Sequence, residues 1–557
     1  MTITWEAPAG GLWELETVHV LGGQPRLFQE RAPAAFKEGF QLVGKRYGLP
    51  IDYLDMRFVN DHCYARMRPV GAPDPKPGKA SAPPAPLALK LLARIHPELR
   101  RRAKTARHAL AHQTWHRDLD RWERELRGEM HASGRALQAE PIEQFDDAAL
   151  IDHLRRAADH FDRGCVMHFE LMPVHDLPVG RLLLACRRWG IDDADALGLL
   201  AGSSPASKAS TTGLAGIAAA CASAGVEPES LDDVRGAGTE AQRALDEYLA
   251  DHAWRVMAQY TPRGLALIEM PDVLVRAIRT AGDGASGDDP VDPEPLRQRV
   301  PAEDRARFDA LLVDARRCYG VRDDNVALTF MWPAGLVRRA LLEIGRRLVE
   351  RRLLTDASHA LALGEAELAA ALAGDADVAT AASTRVARME AYEADSAPLR
   401  LGDDEGPPPD PSLFPPATAE LLAALFVGFD LDMAVGQSTD VSPTWSGTGA
   451  GIGTTAYSGR ACVAASPEEA LSRLQPGDVL VTTITTPAFE AVMPIAGAVV
   501  TEHGGLMGHT ALVCREYGIP AVVGVVGATS CIADGAELTV VPSEGRVLLA
   551  APVLAQD

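Results

Sequence analysis

The sequence predicts a multidomain α+β chain, a large, mainly helical body followed by a small α/β unit. Three observations predict it. From about 85 to 400, apolar residues recur at i, i+3, i+4 and i+7, as in DAALIDHLRRAADHFDRGCVMHFELM and PAGLVRRALLEIGRRLVERRLL. At 399–417 (LRLGDDEGPPPDPSLFPPA) the text turns to Pro and Asp, which reads as a semi-extended linker or surface loop. Beyond 441, short Gly/Thr/Val runs (GDVLVTT, GAVVTE, IPAVVG, LTVVP) alternate with helix-like segments at SPEEALSRL and GHTALVCREYG. The expected boundaries are 1–400 for the helical body, 401–445 for a Pro/Gly-rich linker and 446–557 for the α/β unit.

The elements follow in order. Near the N-terminus, MRFVNDHCYARMRPV reads as two short strands or a hairpin with Asn60-Asp61 at its turn, and APDPKPGKASAPPAPLAL as a Pro-rich loop. Inside the long periodic stretch, Pro173 is expected to end or kink its helix. SPEEA opens with a good N-cap followed by Pro at the first helical position.

Composition removes several function classes. The 557 residues are 47% hydrophobic and 24% charged, ordinary for a folded protein. No uncharged apolar run reaches the ~18 residues of a membrane span. The start, MTITWEAPAGG, lacks a signal-peptide pattern, so a cytoplasmic location is expected by default. A net charge of −21 works against nonspecific nucleic-acid or anionic-lipid binding. The basic stretch 99–127 spreads its charges around a helix and reads as a solvated face. None of the eight cysteines forms a CxxC pair, so they read as reduced core thiols rather than metal ligands.

The chemistry is concentrated in TEHGGLMGHTALVCREYGIPAVVG, residues 501–524. A strand enters a loop holding Gly504, Gly505 and Gly508, and a helix begins at His509. Glycines let backbone approach a phosphate closely, and the N–H groups at a helix start, Thr510 among them, bind its oxygens. The helix dipole is expected to keep the imidazole neutral and nucleophilic. A phosphoramidate on His509 divides one difficult transfer into two displacements. His503 reads as a loop residue. The second Gly-rich run, SGTGAGIGTTAYSG, lacks a following helix and a GKS/T, so it is not a P-loop.

This segment resembles the mobile phosphohistidine (swivelling) domain of the PEP-utilising enzymes, the family of phosphoenolpyruvate synthase, pyruvate phosphate dikinase and rifampin phosphotransferase. Thr501, Glu502, Gly504, Gly505, His509, Ala511, Arg515, Glu516, Gly518, Ile519, Pro520, Ala521 and Gly524 match its pattern. Pro476-Gly477-Asp478 and Thr486-x-x-Phe489 have the family look as well. Gly508 stands where the family usually has Ser, and Pro542-Ser543-Glu544-Gly545-Arg546-Val547 replaces its usual ending. The resemblance implies that His509 is the phosphohistidine, that Gly504, Gly505, Gly508 and Thr510 line the phosphate, and that the small unit swivels. No ATP-grasp pattern precedes it and no phosphoenolpyruvate barrel follows, so acceptor plus carrier is expected here.

Weaker resemblances lie upstream. Leu12-Trp13-Glu14-Leu15-Glu16-x-x-His19 is similar to the opening of the substrate part of phenylphosphate and 4-methylphenyl phosphate synthases. Asp251-His252-Ala253-Trp254-Arg255 and Cys318-Tyr319-Gly320-Val321-Arg322, with Arg338, look like later elements of the same family. Those synthases are split systems. The resemblance implies a separate ATP-grasp subunit that binds ATP and Mg²⁺, phosphorylates His509 and releases AMP and inorganic phosphate, with this chain holding no cofactor alone. The acceptor it implies is a small-molecule hydroxyl, most simply a phenol. Rifampin phosphotransferase-like or PEP synthase-like transfer, a noncatalytic ligand-binding protein and a protein phosphorelay are the alternatives.

A hydroxyl acceptor needs a base and cations for the incoming phosphoryl group. His19 is the candidate base, or else a satisfied structural histidine. Arg255, Arg322 and Arg338 are candidate phosphate ligands, or ordinary ion-pair residues. Trp13, Tyr319 and His168 are candidate substrate contacts, with His175, Tyr53 and Trp332 as further pocket candidates; core packing is the alternative for each.

Overall fold

The computed structural model describes the chain apart from residues 1–3, 17–19, 21, 76–83, 204, 258–259, 282–290, 376–377, 392–396, 404–405, 407, 433–437, 440–444, 486–488, 490–491 and 550–557. It is a mixed α+β protein whose contacts gather into two units. One comprises 1–174, 254–266 and 324–423; the other comprises 175–253, 267–323 and 424–557.

The first unit holds a four-stranded antiparallel sheet in the order β2-β3-β1-β4, from β1 (Trp13–Leu15), β2 (Ile51–Val59), β3 (His62–Pro69) and β4 (Arg400–Leu401). The hairpin turn falls where the sequence places it. Val59 pairs with His62, and Asn60 (φ 49°) and Asp61 (φ 67°) occupy the left-handed region that a two-residue turn demands. Helix α1 (Arg26–Tyr47) buries Phe28 and Phe36. They join Phe161, Phe169 and Phe330 in a chain of edge-on and tilted rings spaced 4.7–6.5 Å.

Helix α2 (Asp147–Arg188) runs 42 residues and continues past Pro173 and Pro178, so Pro173 does not end its helix. A proline removes one ladder bond, a cost of about 3 kcal/mol. Burial of Leu171, Val174, Leu177 and Val179 on the same turns offsets it. In the turn before Pro173, Asn325 Nδ2 donates to His168 O at 3.1 Å.

The second unit includes α3 (Arg305–Tyr319), whereas α4 (Trp332–Glu350) belongs to the first. Helix α5 (Pro416–Asp432) lies inside the stretch expected to be linker. The Pro-rich run ends at Pro415-Pro416, and Pro at the first helical position admits the apolar LLAALFVGF that follows.

The second unit also contains a nine-stranded sheet ordered β5-β6-β13-β12-β8-β9-β10-β11-β7. Its strands are β5 (Ser438–Thr439), β6 (Ser446–Thr448), β7 (Ala450–Ile452), β8 (Tyr457–Val463), β9 (Val479–Thr482), β10 (Ala498–Thr501), β11 (Ala521–Val523), β12 (Glu537–Val541) and β13 (Arg546–Leu549). The central four, β8-β9-β10-β11, are parallel, and α6 (His509–Tyr517) is the crossover from β10 to β11. Val479, Val481, Ala498, Val500 and Val522 form their dry core.

All eight cysteines are free thiols and seven are buried, as expected of core residues. Among the described residues no helix is long and apolar enough to cross a membrane.

Candidate phosphohistidine site

In a parallel sheet, ligands gather beyond the carboxyl ends of the strands. Two adjacent ends meet here. Strand β9 leads to Thr485, and β10 leads through the glycine loop to His509 at the start of α6. Pairing persists past both strands, since Glu502 N–H donates to Thr482 O (3.1 Å) and His503 N–H to Thr483 O (2.8 Å). The loop is fastened further by Glu502, whose Oε1 accepts from Thr529 N–H (2.7 Å) and Thr529 Oγ1 (2.6 Å). Gly504 has φ +109°, a conformation that L side chains rarely adopt.

His509 Nδ1 lies 3.1 Å from Thr485 Oγ1, which in turn lies 2.7 Å from Thr510 Oγ1. Thr485 and Thr510 are buried, and His509 is half-buried. One hydroxyl therefore engages Nδ1 and bears on the orientation of the ring. The first bond of the helical ladder is Leu512 N–H to Gly508 O, 3.0 Å, so the N–H groups of the first turn lie outside the ladder. Gly508 takes φ −67° and ψ 165°, which any residue adopts, and a Cβ there would stand 3.2 Å from Gly505 O. Neither backbone nor space demands glycine at 508 beyond a small adjustment.

The described structure groups the sequence candidates in three places. Gly504, Gly505, Gly508 and Thr510 surround His509, with the Thr510 hydroxyl turned to Thr485. Tyr319 and Arg322 lie against Arg515, on the helix that His509 opens, and the Tyr319 hydroxyl is hydrogen-bonded to that arginine. Of the others, His175 belongs to the second unit, and Trp13, Tyr53, His168, Arg255, Trp332 and Arg338 belong to the first. Trp13 is buried with Tyr64 and Leu401, its Nε1 donating to Ala9 O at 3.1 Å. His168 is buried, its ring 4.5 Å from the Phe330 ring, edge-on. Arg255 stacks over Trp332 at 5.9 Å, and Arg338 Nη1 donates to Pro262 O at 3.2 Å. His19 lies outside the described residues. A groove of about 400 Å³ between Glu38, Arg121, Asp162, Val166 and Glu170 holds none of the sequence candidates.

Thr485 is the contact of His509 that sequence reading missed. Its signal was the TTITTP run just beyond β9, but nothing local shows which threonine faces the histidine.

Residues 474–545 match the family described as PEP-utilising enzyme, mobile domain. Over those residues the chain is similar to that mobile domain. The glycine loop, His509 and α6 all fall within it. Relatives agree over short spans. The chain is 49% identical over 90 residues to phosphoenolpyruvate synthase of Aeropyrum pernix, covering 16% of this chain and 11% of that one. It is 46% identical over 89 residues to rifampicin phosphotransferase of Bacillus cereus, covering 16% and 10%. An uncharacterised phosphotransferase of Bacillus subtilis, YvkC, is 28% identical over 250 residues, 44% of this chain and 27% of that one. That last match is longer than the mobile domain and takes in part of the helical body. The chain spans about a tenth to a quarter of the length of these relatives.

Proposed function

We propose that this chain is the carrier and acceptor part of an ATP-dependent, dikinase-type phosphotransferase, with His509 as the phosphohistidine. The observation that supports it is the imidazole at the start of α6, held at Nδ1 by Thr485, over the glycine loop of a PEP-utilising mobile domain. In this reading Nδ1–H donates to Thr485 Oγ1, whose own proton goes to Thr510 Oγ1, and the lone pair of Nε2 points outward. In the first step an Nε2–P bond forms as the P–O bond of the donor breaks. Helix-start N–H groups and the glycine loop hold the phosphoryl oxygens. In the second step the N–P bond breaks as the O–P bond to an organic hydroxyl forms, and the hydroxyl proton passes to a base.

The donor is a separate ATP-grasp protein carrying ATP and Mg²⁺, as in the phenylphosphate synthases that the segments around Trp13 and Tyr319 resemble. The acceptor is a phenol. The mobile domain reaches donor and acceptor in turn by swivelling, a hinge motion of μs–ms. A second reading keeps the carrier and exchanges the phenol for a larger alcohol, on the strength of the match to rifampicin phosphotransferase. Reconstitution with an ATP-grasp partner and a panel of phenols, antibiotic-like alcohols and pyruvate decides between them. Phosphorylation of phenols is expected, and turnover confined to another class would overturn the phenol assignment.

A further inference from the structure

The helix Pro86–Ile95 is held by one face and leaves the other bare. Leu89 and Ala93 are buried, whereas Leu87, Leu91, Leu92 and Ile95 are 82%, 57%, 40% and 59% exposed. Of the nine large apolar side chains that stand exposed among the described residues, these four share one helix. Steps of four residues bring Leu87, Leu91 and Ile95 onto a single stripe. A chain that works alone in water rarely leaves such a stripe uncovered. Cations border it. Lys90 and Arg94 are exposed on the same helix, and the next one, Pro97–Ala111, exposes Arg100, Arg101, Lys104 and Arg107. Rather than spreading around their helix, these four fall on one face at about 100° per residue. Among the described residues Arg101 pairs with Glu98 at 2.8 Å, whereas Arg94, Arg100, Lys104 and Arg107 form no ion pair. Residues 86–111 hold seven basic residues and one acidic, a net of +6, in a chain of −21, so the rest of the chain carries −27.

We propose that this stripe and its cations dock onto acidic surface of a second copy of this chain, two copies related by a twofold axis each covering the other's helix Pro86–Ile95. Charge is matched only in that arrangement. Stripe against stripe would set the basic face of one copy against that of the other. An anionic lipid surface would repel the −27 of the remainder, and a neutral one would leave the cations unanswered. A second copy supplies carboxylates to the cations and removes the leucines from water in one contact. The surface is separate from the imidazole, so this assignment and that of the phosphohistidine can fail independently.

Sedimentation velocity of the whole chain at rising concentration, in low and in high salt, tests it. A dimer is expected that tightens as salt falls. Leu91→Asp with Ile95→Asp is expected to weaken that dimer about tenfold or more, while far-UV circular dichroism stays as in wild type. Should that variant fold poorly, Leu87→Ser repeats the test at the most exposed position of the stripe. Lys104→Glu with Arg107→Glu is expected to weaken the dimer about tenfold as well and to remove most of its salt dependence. His509→Ala is expected to dimerise as wild type does. A chain that stays monomeric at every concentration overturns the proposal, as does a dimer undiminished by the changes in the stripe. A dimer indifferent to the Lys104 and Arg107 changes overturns the acidic occupant. A monomer that sediments with vesicles of phosphatidylcholine and phosphatidylglycerol, and ceases to when the stripe is changed, assigns the stripe to a membrane and overturns the second copy.

Discussion

At the scale of the residue, the proposed transfer chemistry turns on one hydroxyl. Thr485 Oγ1 stands 3.1 Å from His509 Nδ1 and 2.7 Å from Thr510 Oγ1, so it holds the ring and occupies a buried hydroxyl at once. Thr485→Val keeps the shape and removes both contacts. It should cost about 1–3 kcal/mol of stability, because the Thr510 hydroxyl is left buried without its partner. It should also slow acid-labile labelling of the chain by about tenfold to a hundredfold, because the imidazole loses its orientation. A labelling rate equal to wild type would show that Thr485 does not position His509. The placement of His509 at a helix start behind a glycine loop was legible in the sequence, because these residues are contiguous there. The Thr485 contact was not, because it joins the ends of two strands 24 residues apart in the chain.

At the scale of the element, close packing overrides local propensity. An exposed helical Gly→Ala gains roughly 0.5–1 kcal/mol. Gly335 in α4 is different, since a Cβ there would fall well inside contact distance of Trp254 O. Gly335→Ala should therefore destabilise by about 2 kcal/mol or more, which urea unfolding will read as a lower midpoint. The same reasoning explains why helix α2 defied its prolines. Periodicity announced the helix, but the apolar contacts that carry it past Pro173 come from other parts of the chain.

Helix α2 also carries His160, which is buried. Burial, and after it the charge of Arg163, push this imidazole down to about 4. Its folded-state pKa lies below the unfolded value near 6.5, so the unfolded chain binds the extra proton first. Its stabilising contribution is complete above about pH 6.5 and is lost as the pH falls through 4, amounting to on the order of 3 kcal/mol. Tm should decline across that window, and His160→Asn should flatten the decline. Glu98 and Glu140, held at about 2 mainly by hydrogen bonds from Arg101 and Arg156, act lower, below about pH 4.5. An unchanged slope in His160→Asn would assign the acid sensitivity to other groups.

At the scale of the whole molecule, the broad plan was legible and the partition was not. Helical periodicity up to about 400 and β-like runs beyond 441 mark two kinds of structure. The chain's contacts instead gather into two units that each take three separate stretches of sequence, a property set by tertiary packing and invisible to local pattern. The candidate acceptor residues divide accordingly. Tyr319 and Arg322 lie in the unit that contains His509, whereas Trp13, His168, Arg255 and Arg338 lie in the other. Sequence reading could nominate all six but could not say which of them the carrier helix meets.

The central claim is that His509 is the atom-carrying residue of a two-step transfer. The most direct measurement is to incubate the chain with an ATP-grasp partner and ATP labelled at both its β- and γ-phosphates, then locate the acid-labile label by peptide mapping under alkaline conditions. The account predicts label on Nε2 of His509, none on His509→Ala, and none on the wild-type chain without the partner. Acceptor phosphorylated at an undiminished rate by His509→Ala would contradict it, because the phosphoryl group would then pass from nucleotide to acceptor without resting on this histidine.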